Sequence, residues 1–192
     1  MNSNCFPNLN IEYYENVFND KESVFFFNKL KKEVYWKHEP IKIFGRKILQ
    51  PRLTSFYSTN NRFYSYSGIT MKPNKFNQIL YNIKEKVELL SNSTFNCVLL
   101  NLYRDGQDSN GWHSDNEKEL GKNPTIASVS FGDERYFNMK HKENKLLKHR
   151  LLLKNGSVLI MSRETQDYWL HQIPKTKKAV GPRINLTFRK IN

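Results

Sequence analysis

A chain of 192 residues with 38% hydrophobic residues can bury one substantial core, and no linker, repeat or low-complexity stretch divides it into two domains. Its net charge of +13 exceeds what a solvated surface needs and points to a polyanionic partner. No apolar leader or membrane-length run is present, and the two cysteines, Cys5 in a polar tail and Cys97 in an apolar run, argue against a structural disulfide; a monomeric intracellular protein is expected.

Residues 1–18 are polar and aromatic and predict an irregular arm; residues 19–192 read as one domain. Val24, Phe27, Leu30 and Val34 recur at helical spacing and predict a helix over 20–36, capped by Asn19 or Asp20. Residues 41–70 are rich in Tyr, Phe, Thr and Ser, with Pro51, Asn60–Asn61 and Gly68 as punctuation, and predict short strands and turns. Phe76, Ile79, Leu80, Ile83, Val87 and Leu90 predict a helix over 73–91, with Pro73 in its first turn. From residue 95 the pattern changes to strands, predicted over 95–103, 125–131, 135–140, 148–153, 157–162, 168–173 and 183–191, which together suggest a sandwich or barrel.

The chemistry clusters in this second half. The apolar run Cys97–Tyr103 leads into a polar loop, broken by Gly106 and Gly111, that delivers His113 and Asp115. Alternate residues of an extended chain face one side, so an imidazole and a carboxylate here can reach one metal ion. A second His would complete the two-His, one-carboxylate set that holds non-haem Fe(II) on one face. His38 precedes the strands; His141 and His149 sit in the basic run Lys140–Arg150, where a phosphate-facing or solvent role is expected; His171 is the best placed. In the last strand Ile184, Leu186 and Phe188 share one face and Arg183, Asn185, Thr187 and Arg189 the other. That polar face is either solvent-facing or a dicarboxylate site, since Arg offers a planar fork of donors. Asn101 and Tyr103 form a second same-face polar pair.

Together His113-Ser-Asp115, His171 and Arg183–Arg189 resemble the AlkB family of Fe(II)- and 2-oxoglutarate-dependent nucleic-acid dealkylation dioxygenases, in particular its eukaryotic DNA-repair members. Gln50–Thr54, Tyr64–Gly68, Asn101–Tyr103 and Ile126–Gly132 support the likeness, which runs from about Ile43 to Ile191.

The resemblance implies an α+β, mainly β fold: a double-stranded β-helix, or jelly roll, over 95–192, with helices and nucleotide-recognition strands over 19–94 packed on one side. It implies His113, Asp115 and His171 as iron ligands and catalytic centre. Asn101, Tyr103, Arg183, Asn185, Thr187 and Arg189 would surround 2-oxoglutarate, with Arg189 at the distal carboxylate and Arg183 toward the metal. Tyr64 and Tyr66 would wall the base pocket, opposite the His113 ring and with Arg52 and Glu117 nearby; the alternative is a pair of core or cross-strand tyrosines. Phe44, in Ile43-Phe-Gly45, would wedge into a duplex, unless it is a buried strand residue. The implied reaction uses Fe(II), 2-oxoglutarate and O2 to demethylate 1-methyladenine and 3-methylcytosine in DNA, releasing formaldehyde, succinate and CO2. A DNA substrate favours the nucleus over the cytoplasm. Asn116 stands where the DNA-repair members have an acidic residue, which bears on base preference. An RNA demethylase, a catalytically silent nucleic-acid-binding module and an oxygenase of protein side chains stay open.

Overall fold

The structure, a computed structural model, describes residues 6–43, 46–60, 63–66 and 69–192. Seven strands form the larger sheet, in the order β1 (Asn10–Tyr14), β13 (Ser157–Ser162), β10 (Ile126–Gly132), β15 (Arg183–Arg189), β8 (Cys97–Tyr103), β4 (Leu53–Ser58) and β7 (Asn74–Lys75). Four form the smaller one: β12 (Lys148–Leu153), β11 (Arg135–His141), β14 (Trp169–Ile173) and β9 (Asn110–His113). Two small antiparallel pairs lie between β1 and β7 in the chain, β2 (Pro40–Ile43) with β3 (Arg46–Leu49) and β5 (Tyr64–Tyr66) with β6 (Ile69–Met71).

The sheets pack face to face through Tyr103, Leu159 and Met161 of the larger and Phe137, Met139 and Trp169 of the smaller, the layering of a jelly roll. The other face of the larger sheet is covered by α1 (Asp20–Glu33) and α2 (Gln78–Ser91). Phe26, Leu30, Leu80, Ile83 and Val87 meet Val129, Val158, Leu186 and Phe188 there. Strand alternation thus sends one face of β15 to the helices and the other into the space between the sheets.

Several expectations shift. Residues 10–14 are not part of an irregular arm: β1 pairs with β13 along its whole length, satisfying an edge that would otherwise be open. α1 ends at Glu33, and it buries Ser23, Phe26 and Leu30, leaving Val24 exposed. Asn19 caps it in a reciprocal box with Glu22. α2 begins after Asn77, whose side chain accepts from Leu80 N, because Asn74–Lys75 are drawn into pairing with β4; Pro73 lies outside the helix. Gly132 is required where it stands: at φ +88° a Cβ would run into the Pro182 carbonyl and the Phe27 ring.

Candidate active site

His113 ends a strand, not a loop. β9 pairs with β14 so that His113 lies directly across from His171, and both imidazoles turn inward with ring centroids 4.2 Å apart. Asp115 follows two residues later, buried, its amide held by the Gln166 Oε1 acceptor at 2.9 Å. The ligand atoms of His113, Asp115 and His171 lie within 4.8 Å of one another, the one such cluster among the described residues. His113 Nδ1 bonds the Gly111 carbonyl at 2.8 Å, which fixes the proton there, and leaves the Nε2 lone pair 3.2 Å from the Asn110 amide donor. Phe137 stacks on His171 at 5.1 Å.

The electrostatics suit a cation. Burial lowers both imidazole pKa values, His171 to about 3, so both rings are neutral at neutral pH, as ligation requires. Burial also works against the Asp115 charge. The Arg189 guanidinium, 2.7 Å away, and the two histidines outweigh it and hold the carboxyl below the usual carboxylate range. Asp115 Oδ1 and His171 Nδ1 are buried without a hydrogen-bond partner. One carboxylate and two neutral imidazoles therefore converge, with an Asp115 oxygen and a His171 nitrogen unsatisfied, a donor set that fits Fe(II).

The polar face of β15 borders the same cleft and faces no bulk solvent: Arg183, Asn185, Thr187 and Arg189 are all buried. Register sets Arg183 beside Tyr103, Asn185 beside Asn101 and Arg189 beside Cys97. The two arginines occupy ends opposite to those expected. Arg189 donates to Asp115 Oδ2 and so sits at the metal end. Arg183, six residues along the strand, lies over the Tyr103 ring at 5.2 Å and donates to Ser130 Oγ at 2.9 Å. Its Nε and Nη1 have no partner. Between them Asn101 Nδ2 and Thr187 Oγ1 both donate to Asn185 Oδ1, while Asn185 Nδ2 donates to Ser128 Oγ.

Other expected residues scatter. Arg52 is buried behind the cleft, where Nε donates to Asn101 Oδ1 at 2.7 Å and Nη1 to the Ser109 carbonyl, so it braces the cleft wall. Glu117 opens the 3-10 turn at Lys118–Leu120, outside the cleft lining. Tyr64 and Tyr66 lie in β5, but their side chains fall outside the described residues, as does Phe44. His141 faces neither phosphate nor solvent: it is buried, stacks on Tyr168, and its Nδ1 accepts from the Glu143 and Asn144 amides. His149 is part-buried against Phe6. A wider groove of about 870 Å³, between the end of α2 and Pro124–Thr125, holds no comparable cluster.

Sequence reasoning passed over Ser128 and Ser130, although alternation with Ala127, Val129 and Phe131 in β10 puts both on the polar side. It also passed over Gln166 and Arg135, whose roles depend on contacts distant in sequence. Arg135 donates to the carbonyls of Asp105, Asp108 and Pro174 and so fixes the loop that feeds β9. Arg135→Ala strips the donor from three carbonyls. It is expected to lower stability by about 3 kcal/mol, read as a reduced urea midpoint at unchanged slope.

This arrangement has counterparts. Residues 10–189 match the family model of the 2OG-Fe(II) oxygenase superfamily. The chain is 39% identical over 189 residues to the DNA oxidative demethylase ALKBH2 of Bos taurus, covering 93% of this chain and 68% of that protein. Against the Homo sapiens protein of the same name the identity is 37% over 188 residues, covering 93% and 72%. Against the alpha-ketoglutarate-dependent dioxygenase alkB homolog 3 of Mus musculus it is 40% over 180 residues, covering 89% and 62%. The solved structure of OsALKBH1 superposes with a TM-score of 0.70 over 94% of this chain and 97% of that one, at 16% identity, a likeness of fold alone. A match spanning both sheets and the His113–Asp115–His171 cluster, with relatives this similar, places the chain in the 2OG-Fe(II) oxygenase superfamily and, within it, among the AlkB homologues: it is a dioxygenase using Fe(II), 2-oxoglutarate and O2.

Proposed function

We propose that this dioxygenase removes methyl groups from ring nitrogens of DNA bases, 1-methyladenine and 3-methylcytosine, with release of formaldehyde, succinate and CO2. The observation that carries the reading is the buried His113–Asp115–His171 cluster opening into a cleft walled by two arginines. The relatives named as DNA oxidative demethylases and the charge of +13 supply the substrate class. With DNA as substrate the protein acts in the nucleus, as a monomer.

Bound iron supplies the oxidising power to hydroxylate an N-methyl group. The chain supplies the rest. His113, Asp115 and His171 hold the metal, and Arg189 keeps Asp115 ionised and oriented. Arg183 holds the far carboxylate of 2-oxoglutarate; Asn101, Tyr103 and Asn185 line its length. Burial of the cleft excludes water. The N-hydroxymethyl product then loses formaldehyde and restores the base.

A base must leave the stack to reach the cleft. Tyr64 and Tyr66 are suited to receive it, because their ring faces attract a cationic methylated base. Phe44 fills the gap left in a duplex, and extraction there costs a few kcal/mol that an unpaired base does not require. Phe44→Ala is therefore expected to slow single-turnover repair of methylated duplex by about tenfold and to leave repair of methylated single strand within about twofold. Equal losses would make Phe44 a core residue.

The direct test is purified protein with iron and 2-oxoglutarate against methylated single-stranded DNA, duplex DNA and RNA, with formaldehyde and restored base both measured. Turnover on RNA alone would replace the DNA reading with an RNA demethylase. No turnover on any of the three would remove both.

A further inference from the structure

The outer face of the four-stranded sheet carries a pattern that the cleft does not use. Alternation turns Phe137, Met139 and His171 inward and sets Tyr136, Asn138 and Lys140 of β11 outward. Arg150 and Lys148 of β12 stand beside them, paired by register with Asn138 and Lys140. Trp112 of β9 completes the face, with 39% of its surface exposed. The outward positions of these four strands hold three cations and no carboxylate.

The cations are interleaved with rings. Lys140 Nζ lies 4.3 Å from the Trp112 ring centroid, and the Arg150 guanidinium lies 3.5 Å from that of Tyr136. Between these pairs Asn138 Oδ1 is buried without a partner. Ordinary solvated faces mix both signs of charge. Aromatic rings set among single-sign cations suit a chain of phosphates and open base faces. A duplex hides its base faces, so ring stacking favours an unpaired strand.

The face is also joined to the cleft. The His113 side chain is 23% exposed and Asp115 2%, so the cleft opens on the His113 side. β9 is the edge of its sheet, with His113 on the inner side and Trp112 next to it on the outer.

We infer that an unpaired stretch of the DNA substrate, flanking the base in the cleft, crosses the β9 edge and lies on this outer face. Its bases stack at Trp112, and its phosphates meet Lys140, Lys148 and Arg150, the last held flat against the Tyr136 ring. The inference rests on the DNA reading above.

The test is fluorescence anisotropy of a labelled, unmethylated oligothymidine of about 15 nucleotides with the full chain, alongside a duplex of equal length. Trp112→Ala is expected to weaken oligothymidine binding about tenfold, and Trp112→Phe to restore most of it. Combining Lys140→Ala with Arg150→Ala is expected to flatten the salt dependence by about 1.4 in log–log slope, roughly 0.7 per lost phosphate contact. Turnover of a methylated trinucleotide, too short to reach the face, separates surface from cleft. Parent-like oligothymidine affinity in both variants would overturn the inference. So would a larger loss on duplex than on single strand, or an equal fall in trinucleotide turnover. If the parent demethylates nothing, the demethylase reading fails while the anisotropy still decides the surface.

Discussion

Asp115→Asn yields a folded protein without turnover. The expected loss exceeds about a hundredfold, the upper end of what removing a mere hydrogen-bond partner of a metal ligand costs. Asn keeps the size of the side chain and a carbonyl oxygen for the Arg189 donor but lacks the charge that two neutral imidazoles cannot replace. Asp115→Ala goes further. It removes the carboxylate that neutralises a guanidinium buried at 2.7 Å, and breaking a buried pair costs about 3–5 kcal/mol. The two variants should thus agree in turnover and differ in urea midpoint. The pH dependence follows in sign. The Asp115 pKa is lowered on folding, so its contribution is complete above the unfolded value of about 3.9 and is lost as pH falls below that toward the native value. The Asn variant lacks this part of the acid limb. Iron-dependent turnover at parent level in Asp115→Asn would remove Asp115 from the metal site.

Much of this was legible because periodicity carries it. The alternation of Arg183–Arg189 separates a core face from a polar face, and the structure keeps that division. Alternation assigns a face, however, not an end. Which arginine lies at the metal depends on the register of β15 against β8 and on where β9 and its following residues pass, and neither is local. The same limit explains β1. Asn10–Tyr14 has no strong pattern of its own, and becomes a strand because β13 offers an unpaired edge. For α2 a tertiary pairing overrides a local signal: Pro73 suits a first turn, but Asn74 and Lys75 pair with β4. Gln166 was invisible for a third reason. It acts from the short helix α3 (Thr165–Tyr168) on the backbone of Asp115, 51 residues away, and a lone Gln has no pattern to detect.

Arg183→Ala is expected to raise the KM for 2-oxoglutarate by about a hundredfold, the scale of a lost charge-assisted pair of roughly 2–3 kcal/mol. Burial lowers the Arg183 pKa to about 10, which still leaves it protonated at neutral pH. Ser130 takes one donor, while Nε and Nη1 face the cleft lining without a partner. A buried cation in that state destabilises the protein until an anion arrives. Two consequences separate this role from simple packing. 2-Oxoglutarate should raise the melting temperature of the parent, through linkage, far more than that of Arg183→Ala. Arg183→Lys should recover only part of the affinity, since an ammonium keeps the charge and loses the planar fork. Arg189→Ala provides the contrast: its partner is Asp115, so the variant should demand more iron before it demands more 2-oxoglutarate. If Arg189→Ala instead shows the larger 2-oxoglutarate defect with iron saturating, the assignment of the two ends of the cleft is reversed.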